Sequence, residues 1–582
     1  MLRKIIFFIF LVGFSTLCLA QKGEQNAAAS TDKGTLSGDF EMNNNFYMKD
    51  SLIGATAPIP QYVRQFSSTD AWLNLNYRST SGWDIGARLD LFNNSNLYNP
   101  NESYSAKGIG RFYIKKRMAL PTKNKQYLDI SAGYQYDQIG NGFIFRAFES
   151  RPLFIDNALM GASVNYLTEL SDKANLRAKF FSGKQKRVDG QKDLLDVYEP
   201  LIMGGNVEAF WKPSDSANFS IAPGIGMVKR TLDDITMNDI VASINNDSLQ
   251  YRFIPHYNTY SATVYNTMNY KNFTWSFEAA YKTEEAIPDN VRQLAGTFKL
   301  KNSGGSVLYT SLSYATEGFG VTLQARRIDN FFWRTTPFPL PGRASRGQIS
   351  FLPAIQRQST YRLTSRYTIG SIESGEMAVM GDINLTPSDK LSLMGNFTYV
   401  DDLNGQQLQR EGNLEATYKI NAKQKIILGG QFVRYNQKVY QVKSELDNEN
   451  STVVALTPYV EYIHKLNRKH SFRAELQYMQ TTQDLGPWAF ALFEYNISPS
   501  WSFTGAMLVN TIPHDKGHRR LTASGDFESP ILYPTLAVFY TIKATRLSVS
   551  YVKQPQGVVC TGGICRLEPA FSGVKANIVT RF

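Results

Sequence analysis

The sequence predicts an all-β protein that forms a single transmembrane, up-and-down antiparallel β-barrel of about 24 strands. Three observations predict it: segments of alternating apolar and polar residues, connections that are short and long in turn, and abundant aromatic residues. Aromatic residues make up 13% of the chain, whereas the mean hydropathy is only -0.29. A barrel wall needs only alternate residues to be apolar, so this combination is typical of outer-membrane barrels.

The first residues have the pattern of an export signal. Arg3 and Lys4 precede the apolar run 5–12, and Ala20 offers a small residue for cleavage before Gln21. We therefore expect a signal peptide at 1–20, a short N-terminal segment at 21–34 and a transmembrane β-barrel at 35–582.

The last residues have the pattern of a closing strand. Residues 574–582 alternate with period two and end on the aromatic Phe582, as the final strand of an outer-membrane barrel does. An exported chain without an apolar helix of 18 or more residues can span a membrane only as a closed barrel. The predicted location is the outer membrane of a Gram-negative bacterium, in contact with lipid and lipopolysaccharide.

Alternation is clearest at residues 83–91, where Trp83, Ile85 and Leu91 interleave with polar residues. We expect the apolar set to face lipid and the polar set to face a wet lumen. Comparable segments lie at 273–282, 414–420 and 472–478. The predicted inner face carries charges of both signs, at Arg88, Arg111, Arg177, Lys179, Glu278, Arg326, Glu415 and Arg473.

The connections predict the strand number and the sidedness. Tight turns are expected near 79–82, 170–173, 212–216, 271–272, 317–318, 386–390, 421–423, 466–469, 498–500 and 543–545. Longer stretches lie near 48–68, 92–106, 138–156, 186–202, 230–256, 284–303, 330–373, 436–451, 511–532 and 556–572. A first count gives about 25 strands of about 9–12 residues. Treating 331–374 as one long loop restores the short-long rhythm and gives about 24, with 22 and 26 as neighbours.

A barrel of this size encloses a lumen too wide for strand side chains to fill. It is therefore either an open pore or a barrel plugged by its own loops. The stretch between Ala20 and the first strand, near Leu36, is too short for the N-terminal plug domain of a TonB-dependent transporter. Any plug would have to come from the loops.

Residues 140–161 are the most unusual stretch of the chain. Charges of both signs lie there among apolar and aromatic residues, which is not typical of a solvated loop. The pattern suits a loop folded into the lumen, where its charges pair with the barrel wall. The candidate plug residues are Arg146, Glu149, Arg151, Asp156 and Asn157.

Two cysteines follow the predicted export signal at close spacing. Cys560 and Cys565 lie in Cys-Thr-Gly-Gly-Ile-Cys, and an oxidising compartment favours a disulfide that clips the last outer loop. Free or reactive thiols remain the alternative.

Metal, cofactor and enzyme signals are weak. His514 and His518 are four residues apart, but Pro513 and Gly517 disfavour the helix that would let both chelate one ion. The sequence therefore predicts no metal site, no cofactor and no catalytic residue. No short catalytic motif such as Gly-x-Ser-x-Gly appears, so we expect a non-enzyme, although a rim site assembled in space is the open alternative.

The plug stretch and four further segments carry a resemblance. Together with Arg327-Ile328-Asp329-Asn330, the segment 351–355, Ser374-Gly375-Glu376 and the segment 557–571, it resembles a family of uncharacterised Bacteroidota-type outer-membrane β-barrel proteins. The resemblance implies a barrel with a structured interior, and no activity, substrate or catalytic residue. The chain departs from the pattern at Ser359, where we would expect a His before Thr-Tyr.

Two functions remain in competition. A porin-like pore or transport protein for small solutes is favoured by barrel size and by the charged inner face. A loop-plugged scaffold, partner of an outer-membrane secretion, surface-protein or lipoprotein complex, is favoured by the unusual loops. The formal charge of +12 is interpreted as basic turns, lumen and rim rather than as a nucleic-acid surface.

Overall fold

The computed structural model describes residues 34–56, 59–95, 103–121, 125–151, 155–187, 193–214, 218–289, 292, 299–338, 347–441, 443, 451–561 and 564–582. The predicted signal peptide and all but the last residue of the predicted segment 21–34 lie outside them.

Twenty-four strands form one antiparallel sheet in which each strand pairs with its neighbours in the chain. The sheet closes on itself because the first and last strands pair, from Asp39 opposite Arg581 to Tyr47 opposite Gly573. The strands are β1 (Thr35–Tyr47), β2 (Ser67–Arg78), β3 (Trp83–Ser95), β4 (Tyr104–Leu120), β5 (Gln126–Gln135), β6 (Leu159–Ser171), β7 (Ala174–Lys186), β8 (Val197–Trp211), β9 (Phe219–Thr231), β10 (Asn258–Tyr270), β11 (Phe273–Pro288), β12 (Leu300–Thr316), β13 (Phe319–Asp329), β14 (Gly375–Ser388), β15 (Leu391–Asp401), β16 (Gln407–Asn421), β17 (Gln424–Asn436), β18 (Thr452–Lys465), β19 (His470–Met479), β20 (Trp488–Ile497), β21 (Trp501–Asn510), β22 (Ile531–Ile542), β23 (Thr545–Gln554) and β24 (Phe571–Arg581).

Short elements occur in the connections at the loop end of the barrel. The helix α1 (Asp234–Asn245) begins where the Asp233 side chain accepts a hydrogen bond from the backbone N–H of Thr236, at 2.9 Å. The others are α2 (Gln437–Tyr440), helical turns at Ser51–Ile53, Gln61–Gln65 and Leu249–Tyr251, and hairpins that pair Asp137–Gln138 with Arg146–Ala147, Glu149–Ser150 with Ile155–Asp156, His514–Asp515 with His518–Arg519, and Gly557–Thr561 with Ile564–Glu568.

The predicted strand number is confirmed, but the predicted strand length is too short. Strands β4 and β12 each have 17 residues. The extra length lies towards the loop end, where strand pairs continue beyond the region that the polarity pattern marks. Residues 330–374 contain no strand of the barrel among their described residues, as predicted.

Apolar side chains cover the outer wall. Leu308, Leu414 and Ile225 are more than half exposed near the middle of their strands. Aromatic rings gather at the turn end, where Trp501 stacks on Phe503 with ring centroids 6.0 Å apart. An apolar band edged by aromatic rings suits a lipid bilayer. No helix among the described residues is long and apolar enough to cross a membrane.

The predicted alternation holds strand by strand. On β3, Leu89 and Leu91 are exposed on the outer wall, whereas Arg88 and Asp90 are buried on the inner side. A bulge opposite Arg88 and Leu89 shifts the register with β4. Alternation with a local bulge therefore delivers polar and charged side chains to the lumen.

The lumen is too wide for wall side chains alone. With a strand spacing of ~4.8 Å and a tilt of ~40°, 24 strands enclose a backbone-to-backbone width of roughly 45–50 Å. Two apolar clusters occupy this space, and each joins inward-facing wall residues to residues of the loops. Trp333 and Phe143 are fully buried in one cluster, and Tyr62 and Leu363 in the other.

Candidate functional site

The described residues of two loops fold into the lumen and contact each other. The first plug loop is residues 136–158, and the second plug loop is residues 330–374. The backbone N–H of Arg146 donates to the carbonyl of Ile349 at 2.9 Å, and that of Phe351 donates to the carbonyl of Gly142 at 2.9 Å. The Trp333 indole N–H donates to the carbonyl of Ile144 at 2.8 Å. The two loops therefore form one interlocked body across the barrel.

Asn157 and Arg146 lie at the centre of this interlock. The Asn157 amide donates to the carbonyls of Arg146 at 2.9 Å and Gln348 at 3.1 Å, and its oxygen accepts the N–H of Phe148 at 2.6 Å. The Arg146 guanidinium lies 3.8 Å from the ring centroid of Phe351. Asn157 thus binds both plug loops at once, and Arg146 packs on the second.

Arg88 of the wall is the main anchor of the first plug loop. Its guanidinium donates to Asp90 at 2.6 Å, to Glu149 at 2.8 Å and to Asp156 at 2.8 Å. Arg88 is 2% exposed, so these ion pairs are shielded from water. Lys186 of β7 also donates to Asp156, at 2.8 Å. Two wall strands therefore hold the same loop carboxylate.

Burial and charge oppose each other at Asp156. Burial alone would raise the pKa of the Asp156 carboxyl, but Lys186 and Arg88 together hold this pKa well below its usual range. Tyr136 donates its hydroxyl to the same carboxylate at 2.8 Å. Asp156 is therefore charged in the docked loop.

Arg151 joins the first plug loop to the opening strand of the barrel. It donates to Glu41 of β1 at 2.5 Å and to Glu149 at 3.3 Å. Of the predicted plug residues, Glu149, Arg151 and Asp156 make ion pairs with wall residues, and Arg146 and Asn157 contact the second plug loop.

A second wall network anchors the second plug loop. Arg326 of β13 pairs with Glu376 of β14 at 2.5 Å and donates to the Ser371 hydroxyl at 3.0 Å. The other Glu376 carboxylate oxygen accepts the N–H of Ile372 at 3.0 Å. Sequence reasoning placed Arg326 on the inner face but gave it no role. The isolated charge at the end of a strand gives no sign of which loop it will meet.

A third anchor lies in the outer loops and was not predicted. The Asp484 carboxylate accepts hydrogen bonds from Lys443 at 2.7 Å, Tyr367 at 3.2 Å and Arg366 at 3.3 Å. Burial would raise the pKa of Asp484, but Arg366 and Lys443 lower it overall. Asp484 is more than 40 positions from each of these partners, so only the fold brings the three loops together.

Below the plug, towards the turn end, the inner face is wet. The inward side chains of Lys115 and Arg117 are 43% and 61% exposed, and Arg117 pairs with Asp129 at 2.7 Å. We call this region the turn-side vestibule. Other inner-face charges are paired: Lys179 with Asp137, and Arg473 with Glu461 and Glu475. Of the remaining predicted inner-face residues, Arg111 stacks on Tyr113 and Tyr136, Arg177 donates to Asn165, Glu278 accepts from Asn141, and Glu415 accepts from Tyr459.

The remaining predicted residues lie in the outer loops. Cys560 and Cys565 face each other in the register of the hairpin that pairs Gly557–Thr561 with Ile564–Glu568, but side chains at 558–567 lie outside the described residues, so the disulfide stays a prediction. His514 and His518 lie in a two-residue hairpin and not in a helix, as predicted. Within the described ranges, no group of three or more His, Cys, Asp or Glu residues could hold a metal ion.

A family profile matches the whole chain. It is described as "Family of unknown function (DUF6029)" and matches residues 1–582. The chain belongs to this family. The DUF6029 chain matches no curated protein. Its closed barrel and lipid-facing exterior place it in the bacterial outer membrane, as predicted.

Several solved outer-membrane barrels are similar in fold to the DUF6029 chain. A mutant ferric enterobactin receptor from Pseudomonas aeruginosa has 10% identity and a TM-score of 0.41, covering 96% of this chain and 81% of that chain. The P pilus usher translocation pore has 9% identity and a TM-score of 0.41, covering 94% and 99%. The copper transporter OprC has 8% identity and a TM-score of 0.37, covering 96% and 82%. No functional conclusion follows from likeness at this level.

Proposed function

We propose that this protein is a gated outer-membrane passage for small polar solutes, closed in the present state by its own two plug loops. The observation that carries the proposal is the interlock of Arg146 with Ile349 and of Phe351 with Gly142, which joins the loops across the lumen. Solvated charges line the turn-side vestibule on one side of the interlock. Exposed residues of the outer loops 232–257 and 516–526 lie at the loop end, on the other side. A plug between two wet compartments is the arrangement that a gated passage requires.

The plug is held by side chains and not by a covalent link. The first plug loop is anchored by buried ion pairs at Arg88. The second is anchored by hydrogen bonds of Ser371 and Ile372 to the buried wall pair of Arg326 and Glu376. Such pairs can exchange partners when a solute or a second protein offers equivalent charges. A loop plug of this kind can therefore open without unfolding the barrel.

The first test is the ion conductance of the refolded protein in planar bilayers. We expect the intact protein to be nearly silent and a variant lacking residues 335–370 to conduct strongly, because that deletion removes one half of the interlock. A variant lacking residues 516–526 is the control, since this stretch of an outer loop is mostly exposed. Large, steady conductance from the intact protein, unchanged by the first deletion, would contradict the proposal.

The second test separates passage from mere closure. Proteoliposomes containing the intact protein should take up uncharged solutes slowly and saturably, whereas the 335–370 deletion variant should pass them fast and without saturation. A folded protein that passes no solute, while its deletion variant does, would instead support the scaffold function.

The scaffold function has one observation in its favour. Ile235, Leu249 and Ile254, in the outer loop 232–257, are 70%, 79% and 83% exposed. Apolar side chains this exposed outside the membrane suit a protein or lipoprotein partner. A partner bound there would leave the plug closed, and uptake by the intact protein would be absent.

A further inference from the structure

A cavity of about 920 Å³ lies at the loop end of the barrel, beside the second plug loop. Its walls come from both ends of that loop, from the ends of β12 and β13, from the connection 402–406 and from α2. This volume lies within the range of sites that bind small molecules. The cavity is on the side of the plug that a solute from outside the cell would meet first.

Polar groups on one wall of the cavity are held in place by one another. Arg334 donates to Glu373 at 2.8 Å, and the Gln348 amide donates to the same carboxylate at 3.3 Å. Both charged side chains are about nine-tenths buried. A buried pair fixed in this way presents its remaining N–H and oxygen positions in a set geometry.

A second polar wall faces the same space. Lys301 donates to the Asn330 amide oxygen at 2.9 Å, and the Asn330 amide donates to Asp329 at 2.9 Å. Asp402 accepts the backbone N–H groups of the connection 402–406. The whole lining carries two cations and three carboxylates, so its net charge is close to zero. These are Lys301 and Arg334, and Asp329, Glu373 and Asp402. A strongly charged solute would have to break these existing pairs.

The cavity also has apolar wall area. The Tyr440 ring stacks on Tyr435, with centroids 5.3 Å apart, and lines the cavity together with Leu352 and Leu403. The Tyr440 hydroxyl is buried without a hydrogen-bond partner among the described residues. An aromatic ring beside carboxamide and carboxylate groups matches a solute that has apolar ring faces and hydroxyl edges.

The lining residues are attached to the wall anchors of the plug. The Arg230 guanidinium of β9 donates a hydrogen bond to the backbone carbonyl of Arg334 at 2.7 Å. Arg230 also forms an ion pair with Glu285 of β11 at 2.6 Å. At the other end of the loop, Arg326 donates to Ser371. A solute that contacts Arg334 and Glu373 therefore contacts both ends of the second plug loop.

We infer that this cavity binds a neutral, hydroxyl-rich solute, namely an oligosaccharide of a few sugar units. Hydroxyl groups both donate and accept, so they can use fixed carboxylate, amide and guanidinium groups without disturbing the charge balance. The inference rests on the proposed function in one respect, that the bound oligosaccharide is the solute that passes.

The test measures the binding of defined oligosaccharides to the detergent-purified full chain by microscale thermophoresis. The probes are maltopentaose, cellopentaose, chitopentaose and mannopentaose, with tetra-alanine and an anionic sialyllactose as the other classes. We expect saturable binding of at least one neutral oligosaccharide. Gln348→Ala should weaken that binding at least tenfold, because it removes one cavity amide and leaves the backbone carbonyl that accepts Asn157.

One control and one further cavity variant complete the test. Gln250→Ala removes an exposed amide in the outer loop 232–257, away from the cavity, and should bind as the unchanged protein does. Asn404→Lys adds a charge at the cavity wall on an exposed connection and should also weaken binding. No binding of any neutral oligosaccharide, tighter binding of tetra-alanine or sialyllactose, or equal binding by Gln348→Ala and Gln250→Ala would each overturn the inference.

Binding and passage are separable outcomes. Cavity-dependent binding without uptake into proteoliposomes would support the site and contradict the gated passage. Saturable uptake that is insensitive to Gln348→Ala and Asn404→Lys would support the passage and contradict the site.

Discussion

At the scale of single residues, we expect one wall cation, Arg88, to contribute most to the docking of the first plug loop. Arg88 contacts three carboxylates, one on its own strand and two on the loop. Burying ions is costly unless each meets partners of opposite charge, and removing one partner leaves the others uncompensated. Arg88 is therefore expected to stabilise the docked loop more than an exposed arginine would.

Replacing Arg88 with Ala should release the first plug loop. Loss of a buried ion-pair partner typically costs about 3–5 kcal/mol, which corresponds to at least ~100-fold faster exchange of the amides that the docked loop protects. The amides of Phe148 and Asn157 report on this by hydrogen-deuterium exchange, because each is bonded within the loop.

The matched control is Arg78→Ala. Arg78 pairs with Asp84 at 3.5 Å, but its side chain is 77% exposed, so its loss should leave exchange in the loop unchanged. Equal exchange in the Arg88 and Arg78 variants would refute the anchoring role of Arg88.

The charge of Asp156 predicts how the plug responds to acid. Because its pKa is depressed in the folded state, its contribution to docking is complete above the ordinary aspartate pKa of ~3.9. That contribution is lost only as pH falls through the lower, folded value. Conductance of the intact protein should therefore be as low at pH 4.5 as at pH 7.

Lys186→Met provides the contrast. With Arg88 alone left to offset burial, the pKa of Asp156 should rise, and this variant should begin to open at a higher pH than the intact protein. Opening of the intact protein between pH 7 and pH 4.5 would show that another group controls docking.

At the scale of elements, the first plug loop approaches the wall closely at its tip. Gly140 adopts a φ of +54° at the tip of the first plug loop, where Glu278 of β11 accepts the N–H of Asn141 at 2.7 Å. A Cβ at position 140 would lie 2.7 Å from a Glu278 carboxylate oxygen. The loop tip therefore requires glycine both for its conformation and for space.

Gly140→Ala should displace the loop tip and raise conductance. Gly525→Ala is the control, because Gly525 also has a positive φ of +87° but meets nothing within 4 Å. Both substitutions carry the conformational penalty of about 1 kcal/mol, and only the first adds a collision. Similar conductance of the two variants would mean that the contact with Glu278 does not hold the tip.

At the scale of the whole molecule, the closed sheet and its width explain why loops occupy the lumen. Because β1 pairs with β24, the sheet has no free strand edge. A free edge would expose unpaired backbone N–H and C=O groups to lipid, which is costly. Closing 24 strands also creates a lumen wider than wall side chains can fill. The plug loops fill it at the loop end, and the turn-side vestibule stays wet.

Leu308→Arg should destabilise the barrel in lipid by roughly 2–4 kcal/mol, as charges near the bilayer midplane do. Leu308 is 58% exposed near the middle of β12. Leu521→Arg changes a residue that is 59% exposed in an outer loop and should have little effect. Urea unfolding in lipid vesicles measures both. A similar loss in the two variants would place Leu308 outside the bilayer.

The pattern of residues was sufficient to predict the barrel. Period-two alternation predicts which side of a strand faces lipid, because side-chain direction in a strand is a local property. On β3, for example, Leu89 faces outward and Arg88 faces the lumen. Turn and loop lengths then set the strand number, and the loop 331–374 could be separated from the strands. The charges of residues 140–161 also indicated a loop that needs partners.

The partners of those charges could not be predicted, because they come from distant parts of the chain. Arg88 meets Asp156 across 68 positions, and Asn157 meets Gln348 across 191. The cavity beside Arg334 and Glu373 likewise needs two loop ends and two strand ends to meet in space. Polarity patterns describe the face of a strand on which a residue lies, whereas the place where a long loop folds back depends on the whole closed wall.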